Sequence, residues 1–119
     1  MNSIVLVDDE STIRDLTSII LKKEGHHIHS FDNGHEAIEF IKSSSESIEL
    51  LITDLIMPGI QGDELIHLVH EIQPKLPCII ISASVEVNRL KYEFEGRAHF
   101  LSKPFQYGDL VELVKTSLN

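Results

Sequence analysis

The feature that most constrains the fold is a short apolar run in the middle of the chain, residues 48–53, which only Glu49 interrupts. A strand with apolar side chains on both faces is typical of a parallel sheet covered by helices on both sides. The run ends at Asp54, and Pro58 and Gly62 mark the following segment as a loop. Ligands of open α/β sheets bind beyond the carboxyl ends of the strands, so Asp54 lies where chemistry is expected. Taken alone, it is more simply explained as the end of a strand.

Four further short runs predict strands, and an amphipathic segment follows each of the five strands. The additional strands are expected at residues 3–7, 26–31, 78–81 and 98–101. Alternation of strands and helices predicts an α/β domain with a parallel sheet and right-handed crossovers. We therefore expect a flavodoxin-like, doubly wound (βα)5 fold with strand order 2-1-3-4-5 and helices on both faces.

Periodicity and capping patterns predict details of the helices. The first helix should bury a stripe of four apolar residues, namely Ile13, Leu16, Ile19 and Ile20. Asn33 and Glu36 have the spacing of a capping box at the start of the second helix. Asp63 is the predicted cap of the third, and a fourth helix is expected between Val85 and Gly96.

Composition limits the environment and the partners. A chain of 119 residues is expected to form one domain, residues 1–119, with no output domain in this chain. Ten basic against nineteen acidic residues give a net charge of −9, which disfavours direct binding to nucleic acid. No apolar run approaches the roughly 18 residues of a membrane span, so a cytoplasmic protein without membrane association is expected. Cys78 is predicted to be a core thiol.

Polar side chains follow four of the predicted strands. Asp8 and Asp9 follow the first strand, Asp54 the third, Ser82 the fourth and Lys103 the fifth. In the expected strand order these ends share one edge of the sheet. Three clustered carboxylates repel one another, and a divalent cation with hard oxygen ligands, such as Mg²⁺, would relieve that repulsion. Together with a lysine and a hydroxyl, they could hold a phosphoryl group on a carboxylate oxygen.

These residues resemble the motifs of response-regulator receiver domains of two-component signalling. The resemblance spans the chain and rests on five elements in order, namely Asp8-Asp9, Asp54, Met57-Pro58 with Gly62, Ser82-Ala83 and Lys103-Pro104-Phe105. It implies that Asp54 is the phosphoacceptor. It further implies that Mg²⁺ (or Mn²⁺) is bound by Asp9 directly, by Asp8 largely through water, by Asp54 and by the backbone carbonyl of Ile56.

The resemblance also implies how the phosphoryl group is held and sensed. Lys103 would pair with Asp54 and then with the phosphoryl oxygens, and the Lys103–Pro104 peptide bond would be cis. Ser82 would bond a phosphoryl oxygen, and Phe100 would be the aromatic switch residue that turns inward with it. Phe100 lacks the hydroxyl of the tyrosine often found at that place.

The resemblance implies three kinds of partner. The phosphoryl donor would be a histidine kinase or a histidine phosphotransfer protein. A downstream protein target would read the phosphorylated state, with Tyr92, His99 and Tyr107 as candidate contacts, and a phosphorylation-dependent dimer is a further expectation. The domain would be a signalling module that catalyses only its own phosphorylation and dephosphorylation.

Other interpretations rank lower. A receiver that docks partners without phosphorylation is second, because every group needed for phosphorylation is present. A Mg²⁺-dependent phosphatase with an Asp nucleophile typically has a general-acid Asp two residues later, where this chain has Ile56. The histidines at 26, 27 and 29, and at 67 and 70, lack the three or four converging ligands of a zinc site and are predicted to face solvent. Ser82 lacks the Gly-x-Ser-x-Gly elbow of a hydrolase, and no glycine-rich turn favours a nucleotide.

Overall fold

Five parallel strands form a single sheet in the computed structural model, which describes residues 3–44, 47–83, 93–94 and 96–118. The strands are β1 Ser3–Val7, β2 His27–Phe31, β3 Ile48–Asp54, β4 Cys78–Ser82 and β5 Ala98–Ser102. The described helices are α1 Ser11–Lys23, α2 Gly34–Ser43, α3 Gly62–Ile72 and α4 Tyr107–Leu118. The order β2-β1-β3-β4-β5 confirms the predicted flavodoxin-like fold.

Two predictions concern residues outside the part of the chain that the structure describes. The helix predicted between residues 85 and 96 lies largely outside the described residues, as does the candidate partner contact Tyr92. Within the described part of the chain, no helix is long and apolar enough to cross a membrane.

The sheet separates two apolar cores, because successive side chains of a strand point to opposite faces. On one face, helices α2 and α3 cover the larger core, which includes Val5, Val7, Leu51, Ile80, Ala37, Ile38, Leu65, Val69 and Phe94. On the other face, α1 and α4 cover the smaller core, which includes Ile4, Leu6, Ile52, Ile79, Ile20, Leu21, Leu110 and Val114. Helices thus lie on both faces, and the central strands are buried on both sides, as the apolar runs predict.

The strand register brings the carboxyl ends of the strands level with one another. Val7 pairs with Thr53 across β1 and β3, Asp54 pairs with Ile81 across β3 and β4, and Ser82 pairs with Ser102 across β4 and β5. Residues that directly follow these strands therefore emerge at one edge of the sheet, which we call the carboxyl edge. The opposite edge, where the strands begin, is the amino edge.

Helix α1 is rotated relative to the predicted phase. Leu16 and Ile19 are 49% and 54% exposed, whereas Thr17, Ser18 and Leu21 are buried. The prediction was therefore wrong for half of its stripe. Two small hydroxyl residues face inward on this helix, and periodicity of apolar residues alone does not identify them.

The two helix starts after α1 differ in how well they were predicted. Asn33 caps α2 as expected, because its Oδ1 accepts a hydrogen bond from the Glu36 N–H at 2.9 Å. For α3 the prediction was wrong, since the helix begins at Gly62 with Gln61 at the cap position. Asp63 lies instead in the first turn, where its negative charge is favourable near the positive end of the helix dipole.

Candidate functional site

Three segments meet at the carboxyl edge. Asp8 directly follows β1, Asp54 is the last residue of β3 and Lys103 directly follows β5. Backbone hydrogen bonds fix two of these segments, since the Asp8 N–H donates to the Phe31 carbonyl and the Lys103 N–H donates to the Ser82 carbonyl. The predicted meeting of these side chains at one edge of the sheet is therefore observed.

The Lys103 ammonium lies among three carboxylates. Its Nζ is 3.2 Å from Asp54 Oδ2, 3.3 Å from Asp8 Oδ2 and 3.4 Å from Glu10 Oε1. The Lys103 side chain is only 13% exposed, and those of Asp8 and Asp54 are 6% and 8% exposed. The pairs with Asp8 and Asp54 are thus shielded from water, and attraction between their charges is stronger than at the surface.

The other oxygen of each buried carboxylate bonds to the backbone. Asp54 Oδ1 accepts a hydrogen bond from the Leu55 N–H at 2.8 Å, and Asp8 Oδ1 accepts one from the Glu10 N–H at 3.0 Å. Arg14 Nη1 donates to the Asp8 carbonyl at 2.7 Å, which ties α1 to the end of β1. Both carboxylates are therefore held in fixed orientations with one oxygen toward Lys103.

Burial and charge act in opposite directions at this site. Burial raises the pKa of Asp54 above its ordinary value and the nearby Asp8 charge adds to this, while Lys103 and the Leu55 N–H oppose it. Burial lowers the pKa of Lys103, but Asp54 and Asp8 more than offset this, so the pKa of the ammonium is raised. Lys103 therefore remains charged at neutral pH.

The residues fit a divalent metal ion in their chemistry. Carboxylate oxygens of Asp8, Glu10 and Asp54 lie within 4.8 Å of one another, and Mg²⁺ prefers hard oxygen ligands of this kind. Asp9, the predicted direct ligand, is exposed and does not belong to this group of three. Glu10 was missed by the sequence reasoning, although its place as the third acidic residue after β1 was a usable signal.

The remaining predicted residues lie on β4, on β5 and in the segments that follow the strands. Ser82 is buried at the end of β4, and Phe100 on β5 is half-buried and packs against the larger core. Ile56 is 57% exposed in the loop after β3. The Lys103–Pro104 peptide bond is cis. Of the candidate partner contacts described, His99 and Tyr107 are exposed, and the Tyr107 hydroxyl donates to Glu24 Oε2 at 3.1 Å.

The loop after β3 closes tightly against the strand end. The Gly62 N–H donates to the Leu55 carbonyl at 2.7 Å. A Cβ at Gly62 would overlap the Asp54 carbonyl oxygen and would lie 2.9 Å from Leu55 Cα. Only glycine fits this close approach of two backbone segments, which holds the start of α3 beside Asp54.

Comparison with known proteins identifies this arrangement. A family model described as the response regulator receiver domain matches residues 4–115. The chain belongs to this family. Receiver domains are signalling domains of two-component systems, and phosphorylation at an aspartate and binding of Mg²⁺ are typical of them.

Relatives of this receiver domain include both short and longer proteins. The response regulator receiver protein CpdR of Brucella abortus is 36% identical, over 99% of this chain and 98% of CpdR. The transcriptional regulatory protein ResD of Bacillus subtilis is 34% identical, over 97% of this chain and 47% of ResD. The chain thus spans nearly all of one relative and less than half of the other.

Solved structures agree with the fold. A receiver domain from Clostridium thermocellum superposes with a TM-score of 0.92 at 24% identity, covering 100% of this chain and 95% of that one. The response regulator TrrA from Thermotoga maritima, in complex with Mg²⁺-BeF, gives a TM-score of 0.87 at 31% identity. That match covers 99% of this chain and 100% of TrrA.

Proposed function

We propose that this receiver domain accepts a phosphoryl group on Asp54 from a phosphohistidine of a histidine kinase or a histidine phosphotransfer protein. The observation that carries the proposal is the Lys103 ammonium, 3.2 Å from Asp54 Oδ2 and 3.3 Å from Asp8 Oδ2, at the carboxyl edge. A buried carboxylate beside a fixed positive charge has what phosphoryl transfer requires, because catalysis there is mainly positioning and neutralisation of charge.

The hydrogen bonds distinguish the two oxygens of the acceptor. Asp54 Oδ1 is engaged by the Leu55 N–H, whereas Oδ2 faces Lys103. We assign Oδ2 as the attacking atom. Its lone pair forms the new P–O bond while the P–N bond of the phosphohistidine breaks, and the donor imidazole keeps that electron pair. Lys103 Nζ then pairs with the phosphoryl oxygens.

A divalent cation would be held by Asp8 and Asp54, with Asp9 and the Ile56 carbonyl assigned by the family resemblance and Glu10 by its position. When bound, Mg²⁺ supplies positive charge that neutralises the carboxylates and the transferred phosphoryl group. Support comes from the 4.8 Å cluster of carboxylate oxygens and from TrrA, a relative whose structure contains Mg²⁺-BeF. Asp8 and Asp54 are held by backbone hydrogen bonds, so they are preoriented for this role.

The phosphorylated state would be read through β4 and β5. Ser82 at the end of β4 would bond a phosphoryl oxygen, and Phe100 would move inward in response. Phe100 is half-buried and borders the larger core, so a change of its rotamer alters the surface around β5. Phosphorylation replaces the single negative charge of the Asp54 carboxylate by the roughly −1.5 to −2 charges of a phosphoryl group, enough to shift the balance between two surface states that a downstream protein or a second copy distinguishes.

Intact-mass measurement after incubation with acetyl phosphate and Mg²⁺ tests the proposal. The wild-type chain should gain one phosphoryl group, and Asp54→Asn should gain none. Asp109→Asn, which alters an exposed carboxylate of α4, is the matched control and should behave as wild type.

Two results would count against the proposal. A wild-type chain that stays unmodified would favour the phosphorylation-independent docking module. Modification that persists in Asp54→Asn would place the acceptor on another residue.

A further inference from the structure

A cavity of about 380 Å³ lies at the amino edge, at the opposite end of the sheet from Asp54. Its wall includes Cys78 at the start of β4 and His99 near the start of β5. The segment after α3 contributes Lys75, and Arg97 precedes β5. None of these residues belongs to the proposed phosphorylation site.

The charge of this cavity is opposite to that of the whole chain. The chain carries a net charge of −9, yet no acidic residue is among the described residues of the wall. Lys75 and Arg97 supply two positive charges, and His70 and His99 supply two imidazoles. In a protein this acidic, a pocket lined in this way is a local site of attraction for anions.

Arg97 is positioned before any ligand arrives. Its guanidinium lies 5.7 Å from the centroid of the Phe94 ring, and Nη2 donates to the Glu93 carbonyl at 3.1 Å. Phe94 is fully buried in the larger core, so it is a rigid support. Within the described residues this is the only hydrogen bond of the Arg97 side chain, which leaves four of its five N–H donors for an anion.

The Cys78 thiol contributes no negative charge to the cavity. Burial raises the pKa of this thiol to about 12, and the positive charge of Arg97 acts against that rise. The thiol therefore stays neutral at physiological pH and brings no negative charge to compete with an anion. Its Sγ lies 3.4 Å from the Leu76 carbonyl, to which it donates.

His70, which was predicted to face solvent, is instead buried and belongs to the same wall. Its Nε2 lies 2.9 Å from the Leu76 carbonyl oxygen, which can only accept, so Nε2 carries a proton. Nδ1 is buried without a hydrogen-bond partner among the described residues. The Nε2 hydrogen bond therefore fixes the orientation of the His70 ring in this wall.

We propose that this cavity binds a small phosphate-type oxyanion, with monohydrogen phosphate as its simplest form. Arg97 and Lys75 would donate to the anionic oxygens. The planar guanidinium matches two phosphate oxygens at once, and a volume of about 380 Å³ has room for a small phosphomonoester. A carboxylate also offers two anionic oxygens but carries one negative charge, against two on monohydrogen phosphate.

Histidine NMR signals in a phosphate titration test the proposal. The titration uses sodium phosphate at constant ionic strength and pH, with EDTA and without Mg²⁺, and follows the ring signals of His70 and His99. We expect a saturable shift of both signals, a weaker response to acetate and none to chloride. Arg97→Gln and Lys75→Gln should each weaken phosphate binding at least about tenfold, whereas Lys22→Gln, an exposed lysine of α1 outside the wall, should not.

Specific outcomes would overturn the proposal. The cavity does not bind phosphate specifically if the NMR shift fails to saturate or if chloride reproduces it. The same conclusion follows if the shift persists unchanged in both Arg97→Gln and Lys75→Gln. Thermal unfolding of each variant checks that it folds, and two variants keep the test valid if one fails. Asp54→Asn should bind phosphate here as wild type does, so failure of the proposed phosphorylation and failure of this site are distinguishable.

Discussion

The two edges of the sheet bury titratable groups in opposite ways. At the carboxyl edge, Asp8 and Asp54 are buried around the ammonium of Lys103. At the amino edge, the Cys78 thiol is buried beside the His70 ring with Leu76 as the hydrogen-bond acceptor. The first group consists of paired charges, and the second is a thiol and an imidazole that share one backbone carbonyl.

The difference shows how a nearby positive charge affects the pKa of a buried acidic group. Burial disfavours ionisation at both edges. Lys103 opposes that effect on Asp54 through a direct contact of 3.2 Å, and Arg97 opposes it at Cys78; in both cases the pKa stays above its ordinary value, at about 12 for Cys78. A single parallel sheet therefore carries a carboxylate paired with an ammonium at one edge and a buried, neutral thiol at the other.

The largest expected effect concerns this buried thiol. With a pKa near 12 instead of about 9, Cys78 has roughly a thousandth of the ordinary thiolate fraction at pH 8. We expect iodoacetamide to modify Cys78 about a thousand times more slowly in the folded protein than in urea, measured by mass spectrometry. An added cysteine at the exposed Ser11 serves as an internal control that reacts at an ordinary rate. Comparable rates at both positions would remove the contrast between the edges.

The next effect concerns the backbone that holds Asp54. Gly62→Ala places a methyl group against the Asp54 carbonyl and Leu55 Cα, where only backbone can yield. We expect a loss of about 3 kcal/mol in the free energy of unfolding, measured by urea denaturation. Gly108→Ala in α4 meets open space and should be neutral or stabilising by up to roughly 1 kcal/mol. Equal effects would show that the loop at the carboxyl edge tolerates displacement.

Removing the ammonium of the carboxyl edge should come third. Lys103→Met leaves buried carboxylates without their counter-charge and should lower the free energy of unfolding by about 2 kcal/mol at pH 7. The deficit should shrink as the pH falls, because protonation of the carboxylates removes their repulsion. Lys75→Met at the amino edge removes an exposed charge and should change stability by less than about 0.5 kcal/mol. A pH-independent deficit in Lys103→Met would point to lost packing instead.

The smallest effect is expected for Asp54→Asn, which should raise the free energy of unfolding instead of lowering it. The pKa of Asp54 is higher in the folded protein than its ordinary value, so the folded state binds this proton more tightly than the unfolded state. Stability therefore falls as the pH rises from the ordinary Asp pKa through the folded one, and ionised Asp54 costs stability at pH 7. Asp54→Asn should raise the free energy of unfolding by about 1 kcal/mol at pH 7 and by little near pH 3. Glu10→Gln, which changes an exposed carboxylate, should change the free energy of unfolding less. A lower free energy of unfolding in Asp54→Asn than in the wild type would contradict this expectation.

The sequence predicted the sheet because buried strands leave an unambiguous apolar pattern. The run from Ile48 and the one after Cys78 are buried on both faces, and no other element fits them. Helix α1 was harder, because the predicted and the observed inward faces share only Ile20, and the observed one includes Thr17 and Ser18. Tertiary packing decides that choice, and the apolar pattern does not contain it.

The candidate site was predictable in its members but not in its distances. Strand ends share an edge in this fold, so Asp8, Asp54 and Lys103 had to meet there. The position of Glu10 depends on how the chain turns into α1, and the hydrogen bond from its N–H to Asp8 fixes that turn. The cavity at the amino edge has no sequence motif, because its wall comes from separate segments with ordinary composition.

Lys103 and Asp8 are 95 residues apart in the chain, and Lys103 and Asp54 are 49 apart. A nascent chain leaving the ribosome therefore carries both carboxylates long before their ammonium has been synthesised. Their mutual repulsion opposes early closure of that edge, so the charge cluster should assemble only after β5 has docked. Fragments released before residue 103 therefore lack the ammonium on which the proposed phosphorylation site depends.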